Sequence, residues 1–341
     1  MKITVAVATY NRPRNLICCL ASLAGQRRPA DEIVVVGQGE DRVAAAVAAR
    51  SGACSGLRGR VRYIHLPAPS IAAAENAAVA AATGDVIAFI DDDATAPAEW
   101  LDNLAPWFDD PAVGGAGGPY VEHPGGVAAY EFGRRVGVFT WYGRYISRQW
   151  SFTPRAIPVD VLSGSNMAFR RELVPVLPAV LRPYWNAFEV YLCGMVRRQG
   201  YRIIFDPRVR VDHYRDGRAR HYGFVYASDR DLRRRLYRDH AHNFVYAAAA
   251  HFQGGAWLRF LLYEFLVGDS GRPGPVRAAV LCLQGRGREA REGFGPALRG
   301  KVEGLRSRVA EVGAGRSAPR PRVLPWGFDA GVPKGALRKT T

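Results

Sequence analysis

Four short strand-like runs, each giving way to a polar turn and then to a stretch with helical spacing, fill the first third of the chain. The runs are Ile3–Ala8, Glu32–Val36, Arg62–Leu66 and Asp85–Ile90. Apolar residues at successive positions over so short a length suit strands buried on both faces, the condition of a parallel sheet. The segments Arg14–Leu23, Asp41–Arg50 and Ile71–Ala82 carry apolar residues at helical spacing, and Pro97 stands where a helix over Ala98–Phe108 would begin. Strands alternating with helices predict an α/β fold, with a mainly parallel sheet flanked by helices.

The middle is less regular. Val113–Pro119 (VGGAGGP) reads as a turn or as backbone that something approaches closely, and Tyr130–Phe152 as a loop or lid. Val159–Arg170 leads toward a helix expected near Arg171. Phe188–Gln199 reads as a helix stopped by Gly200, with strands at Tyr201–Phe205 and Val209–Val211. Past Arg215 the character changes. Arg230–His251 is helical in pattern and Ala256–Val267 strongly apolar. Beyond Pro273 the chain is Gly/Pro-rich and expected to be partly ordered, ending in a flexible basic tail over Arg316–Thr341.

The net charge of +16 lies mostly in that second half. From Ser270 to Thr341 there are 15 basic and 5 acidic residues, and from Arg215 to Arg238 there are 8 and 3. Such a surplus fits an anionic membrane surface. Nucleic acid is not the expected partner, because no helix-turn-helix, zinc-finger or RRM pattern accompanies the charge. Five cysteines without paired spacing argue against a disulfide framework or zinc ribbon and favour a reducing, cytoplasmic setting. MKITVAVATYNRP reads as a strand and turn rather than a secretory leader. No apolar run reaches the ~18 residues of a membrane span.

Parallel sheets bind ligands at the carboxyl ends of their strands. Three polar clusters sit there: Thr9–Arg12, Gly37–Asp41 and Asp91–Asp93. A dinucleotide fingerprint at Gly37-Gln38-Gly39 fails at its third glycine, where Arg42 stands. Three adjacent carboxylates repel one another, and a cation normally offsets that repulsion. Oxygen ligands suit Mg²⁺ or Mn²⁺. The other reading is a solvated acidic turn before the next helix.

Four segments in order, VAVATYNRP (Val5–Pro13), DEIVVVGQGED (Asp31–Asp41), GDVIAFIDDDATAPAEWL (Gly84–Leu101) and FEVYLCGMVRRQGYRI (Phe188–Ile203), carry a likeness. Over about Ile3 to His213 the chain resembles the family 2 glycosyltransferases of GT-A fold, a Rossmann-like α/β architecture. The resemblance implies a GT-A domain over residues 1–215, with a nucleotide-sugar half to about residue 120 and an acceptor half after it. A helical, basic extension over 216–315 and the tail over 316–341 would follow. The Thr9-Tyr10-Asn11-Arg12 turn would approach the nucleotide of a nucleotide-diphosphate sugar donor. Asp91 would face the ribose or sugar, with Asp92 as the variable middle residue, grouped with the donor-binding positions. Asp93 would bind the Mn²⁺ or Mg²⁺ that bridges the diphosphate. His213 in VDHYR matches a position near that metal, a surface histidine after a strand being the alternative. Glu189, at a helix start that favours its ionised form, would be the general base for a single, inverting displacement. Gly164 and Asn166 in SGSNMAFRR match an acceptor-side segment. Trp141, with Tyr142, Tyr145 and Trp150, is either a stacking platform for sugars or packing.

The sequence departs from the family in places. Phe188 and Tyr191 stand where acids are frequent, which leaves Glu189 as the one carboxylate there. Gly37 replaces the aspartate that reads the base, with Asp41 or Glu40 as substitutes. Glu75 replaces an arginine near the diphosphate. These departures leave open a non-catalytic scaffold of the same fold. The implied acceptor is a hydroxyl of a glycan, a lipid-linked sugar or a small molecule. Ala256–Val267 either packs on the core or lies in a membrane interface with Trp257, Phe260 and Phe265 toward lipid, giving an enzyme peripheral on the cytoplasmic face.

Overall fold

The computed structural model describes residues 1–39, 42–123, 135–183, 187–214 and 229–313. The chain opens with β1 (Ile3–Thr9), α1 (Pro13–Ala24), β2 (Glu32–Gln38), α2 (Arg42–Gly52), β3 (Val61–Leu66), α3 (Ile71–Ala81) and β4 (Val86–Ile90). β4 runs into the three aspartates, and the two-residue β5 (Ala94–Thr95) and α4 (Trp100–Leu104) come next. Then follow β6 (Val113–Gly117), β7 (Tyr120–His123), a hairpin of β8 (Val138–Phe139) and β9 (Tyr145–Ile146), β10 (Ile157–Pro158) and β11 (Asn166–Arg170). α5 (Phe188–Arg198), β12 (Arg202–Phe205) and β13 (Val211–Tyr214) precede four helices: α6 (Arg230–Ala248), α7 (Gly254–Leu266), α8 (Pro275–Leu283) and α9 (Gly287–Gly313).

Eight strands form one sheet in the order β10-β12-β6-β11-β4-β1-β2-β3. β1 pairs parallel with β2 and β4, and β2 with β3. Successive residues feed opposite faces. Ile33 and Val35 join Leu16, Leu20 and Trp100 on one side, and Val34 and Val36 join Phe89, Phe169 and Val190 on the other. This is the two-faced burial that the apolar runs imply. A second sheet, β5-β13-β7, sets His213 opposite Ala94, the residue after the acid triplet.

Several expectations change. Of the two readings of VGGAGGP, closely approached backbone holds: it contains a buried strand, β6, and not a turn. A Cβ on Gly115 would lie 2.7 Å from the Phe169 ring, and one on Gly117 would lie 2.4 Å from the Asn166 carbonyl oxygen. The missing side chains are what admit β11 beside it. Asn166–Arg170 is likewise an antiparallel strand, β11, between β4 and β6, and only a short 3₁₀ turn follows it. The helix expected over Ala98–Phe108 is α4 followed by a 3₁₀ segment over Ala105–Asp109, because Pro106 has no N–H to continue the α ladder.

Beyond Pro273 the chain forms α8 and the 27-residue α9 rather than partly ordered backbone. The glycines that read as breakers face α6. A Cβ on Gly300 would fall 2.1 Å from the Arg238 carbonyl oxygen, and one on Gly304 would fall 2.4 Å from that of His242. Glu292 accepts from Arg233 at 2.7 Å, and Glu303 accepts from Arg182 at 2.7 Å, so carboxylates of α9 tie it down. Gly→Ala in an exposed helix interior normally stabilises by about 1 kcal/mol. For Gly300→Ala the sign reverses: we expect a loss of about 1–3 kcal/mol from overpacking against backbone, read as a lower urea midpoint with the slope unchanged.

α6 and α7 feed the sheet's own core, through Phe244, Tyr246, Ala247 and Phe260. Among the described residues no helix is long and apolar enough to cross a membrane. The expected tail over 316–341 and the start of the expected lid at Tyr130 lie outside the described residues.

Candidate active site

The turn after β1 and the triplet after β4 are tied together. Parallel pairing of β1 with β4 delivers both to one edge of the sheet. Asn11 takes a left-handed conformation, φ 55°, which asparagine tolerates better than most residues. Thr9 Oγ1 donates to Asp92 Oδ2 at 2.7 Å. The Arg12 guanidinium donates to Asp92 Oδ1 at 3.0 Å and to Asp93 Oδ2 at 2.8 Å. Burial pushes the Asp92 carboxyl up to about 7, with Arg12 and Thr9 opposing and the neighbouring aspartates adding to the rise.

His213 arrives from the small sheet. The Tyr214 amide donates to the Asp93 carbonyl at 2.7 Å, which fixes the register. His213 Nε2 then lies 3.1 Å from Asp93 Oδ1 and 3.4 Å from Asp91 Oδ2. One ligand atom from each of Asp91, Asp93 and His213 falls within 4.8 Å of the others. Burial alone would lower the His213 pKa. Hydrogen bonds and charge from Asp91 and Asp93 outweigh it and carry the ring to about 10. Burial would raise Asp93, but His213 and Arg12 take it below the usual carboxylate range. Two carboxylates and one imidazole fit a divalent cation such as Mn²⁺, and Asp91, whose side chain is 44% exposed, opens the group to solvent.

Glu189 sits in the first turn of α5, which follows Ala187 in a left-handed conformation, φ 54°. Burial raises its carboxyl to about 7; its own backbone amide opposes the rise and the Asp91 charge adds to it. The ring of Phe188 sits over Gly164, where a Cβ would lie 2.8 Å from the ring. The buried Tyr145 hydroxyl accepts from Gln149 Nε2, and the nearby Glu189 charge helps hold it in its neutral form.

The sequence pattern described as Glycosyl transferase family 2 matches residues 4–177, just over half of the chain. The chain belongs to glycosyl transferase family 2. Within 105 residues it is 33% identical to the succinoglycan biosynthesis protein ExoM of Rhizobium meliloti (strain 1021). The match takes in 30% of this chain and 34% of ExoM, about a third of that relative's length. Its fold is similar to the mannosyltransferase PcManGT of Pyrobaculum calidifontis, solved with GDP-Man and Mn²⁺. That likeness has a TM-score of 0.50 and 20% identity over 91% of this chain and 86% of that one. It is also similar to GalNAc-T7, solved with UDP, GalNAc and Mn²⁺, with a TM-score of 0.60 and 14% identity over 94% of this chain and 58% of that one. At these identities the structural likenesses speak to the fold.

Against the family pattern, the space above Gly37 is taken. A Cβ there would lie 2.1 Å from the Tyr63 hydroxyl, so a phenol from β3 stands where family members carry an aspartate. Sequence reasoning missed Tyr63; its signal was the glycine itself, a vacancy that a neighbouring strand fills. Tyr10 lies over Gly39, where a Cβ would meet its ring at 2.9 Å, and stays 42% exposed. Asp41 lies outside the described residues. One family-derived expectation needs correction. Asn166 does not reach toward a ligand: it is 1% exposed, accepts from Trp100 Nε1 at 2.9 Å and donates to the Val209 and Pro119 carbonyls at 2.6 and 3.2 Å. Asp92, grouped with the donor-binding positions, is 4% exposed and accepts from Thr9 and Arg12 of the turn after β1. Trp141 is 77% exposed and stands beside α7, where its carbonyl accepts from Arg259 Nε at 3.0 Å.

Glu75, in the family's arginine position, is a buried carboxyl that burial, with help from Asp91, raises from 4.5 to about 8. It is therefore mainly neutral at pH 7 and adds little negative charge beside a diphosphate. Below pH 4.5 it is protonated folded and unfolded. Between 4.5 and about 8 only the unfolded chain ionises, so its contribution to stability falls as pH rises through that window. Glu75→Gln removes the titration. We expect its melting temperature, relative to the parent chain, to rise between about pH 5 and about pH 8.5 in thermal scans with chelator present.

Proposed function

We propose that the chain is an active, inverting glycosyltransferase. It would take a sugar from a nucleotide-diphosphate donor to a hydroxyl of a glycan or lipid-linked acceptor. The observation that carries this reading is the convergence of Asp91, Asp93 and His213 at the end of β4, with the Glu189 carboxyl near enough to sense the Asp91 charge. The Mn²⁺ present in both similar complexes supports Mn²⁺ as the cation, with Mg²⁺ as the alternative. The part ExoM plays in succinoglycan biosynthesis supports a polysaccharide acceptor and work at the cell envelope.

Asp91, Asp93 and His213 would hold the cation. When bound, it supplies positive charge to the diphosphate as that group leaves. Arg12 and Thr9 keep Asp92 and Asp93 in place through the bonds described above. Tyr10, exposed over Gly39, offers a ring face to the nucleotide. Glu189 takes the proton of the acceptor hydroxyl, whose oxygen attacks the anomeric carbon opposite the leaving nucleoside diphosphate. A single displacement inverts the anomeric configuration. Tyr145, neutral within reach of the Glu189 charge, bounds the acceptor side without competing for that proton.

The test is turnover of the full chain across UDP-, GDP- and dTDP-sugars with Mn²⁺, following nucleoside diphosphate release. Release with at least one donor is expected. A donor-dependent thermal shift with no release under any acceptor would instead favour the scaffold reading.

A further inference from the structure

We infer that α7 and α8, together with Trp141, form a docking face for an anionic lipid bilayer. α7 turns Leu258, Leu262 and Leu266 outward, 59%, 51% and 51% exposed, at successive four-residue steps that make one stripe. α8 adds Val276 at 52% and, seven residues on, Leu283 at 88%. Trp141 is tied to α7 by Arg259 and its ring meets Tyr142 edge-on. Contiguous apolar exposure of this kind marks a contact surface rather than chance. The residues first expected to meet lipid do not lead it. Phe260 is fully buried, stacked on Phe252 at 4.7 Å, and Trp257 and Phe265 are half-buried.

Charge selects the occupant. The exposed positions of α7 and α8 include Arg259 and no acid. Arg286 and Arg288, both exposed, follow directly. A second copy of a +16 chain would repel this face, whereas anionic headgroups attract it while the leucines enter the acyl boundary. α7 has 13 residues, about 20 Å of helix, which suits lying in an interface and not crossing it.

The face is also joined to the site. Tyr142 packs against Tyr263 of α7 at 5.4 Å, and a Cβ on Gly143 would lie 2.5 Å from Phe260 Cα. Two residues on is Tyr145, whose hydroxyl is near enough to sense the Glu189 charge. One short segment therefore links the docking face to the acceptor side, so a glycan growing on a membrane lipid would be met where the chain sits down.

The experiment is co-sedimentation of the full chain with vesicles of phosphatidylcholine alone or mixed with phosphatidylglycerol. Binding to the mixed vesicles that weakens with salt is expected. The triple variant Leu258→Ser, Leu262→Ser, Leu266→Ser should bind at least about tenfold more weakly. Its nucleoside diphosphate release in solution and its thermal midpoint should stay near those of the parent. Leu283→Ser, at a position with little to unfold, should weaken binding to a lesser degree. Equal binding by parent and both variants would overturn the proposal, as would no binding by the parent. A concentration-dependent dimer of the parent, abolished in the triple variant, would assign the face to a second copy and equally overturn it.

Discussion

Replacing Glu189 with glutamine should reduce sugar transfer by about 10²–10⁴-fold while leaving the donor's KM nearly unchanged. That range is what a positioned general base supplies. Loss confined to kcat is the signature of an interaction made in the transition state. The pH profile sharpens the test. Burial puts the Glu189 carboxyl at about 7, and only its ionised form accepts a proton. The parent's kcat/KM should therefore climb with pH through about 7 and then level. In Glu189→Gln that limb should vanish. A variant within tenfold of the parent, with the limb intact, would show that another group takes the proton. Phe188, in the place of a frequent second acid, makes the test clean, because no neighbouring carboxylate of α5 stands ready to substitute.

Asp93→Ala should abolish both Mn²⁺ binding and transfer. Asp93 faces His213 at 3.1 Å and Arg12 at 2.8 Å, so its loss removes a ligand and leaves Arg12 with Asp92 alone and His213 with Asp91 alone. Chelator should reproduce the kinetic effect in the parent, reversibly. Titration calorimetry gives a second readout. His213, held near 10 by Asp91 and Asp93, must lose its proton before its nitrogen can bind metal. Mn²⁺ binding at pH 7 should release about one proton, seen as a dependence of the heat on the buffer's ionisation enthalpy. Affinity should rise by roughly tenfold per pH unit up to that value. Heats that do not depend on buffer would remove His213 from the ligand set.

Much of this was legible from local pattern. β1, β2 and β4 are runs of mostly apolar residues recognisable without distant information, and the acid triplet stands where β4 ends. What escaped was set by segments far apart in sequence. Asn166 read as a ligand contact because SGSNMAFRR is a loop-like string; its partners are Trp100, Pro119 and Val209. Tyr63 could not be foreseen from β3, since its place is defined by a missing side chain on β2. Glycines misled in α9, because a breaker and a close-contact face look alike until the opposing backbone is known. On α7 the segment was found but its helical phase was not: Phe244 and Phe252 draw Phe260 inward and leave the leucines outside.

The third residue of the cation group hangs on a short ladder. β13 holds His213 beside the aspartates by pairing with β5, which is two residues long, and with β7. The eight-stranded sheet contributes Asp91 and Asp93 but not the histidine. Ala94 of β5 and Val211 of β13 are buried in the same core as Ile33 and Val35, so the histidine's strand is seated on the large sheet by packing as well as by that ladder. An ion held by Asp91, Asp93 and His213 would therefore join residues carried by two different sheets, and its binding would add to the stability of their junction.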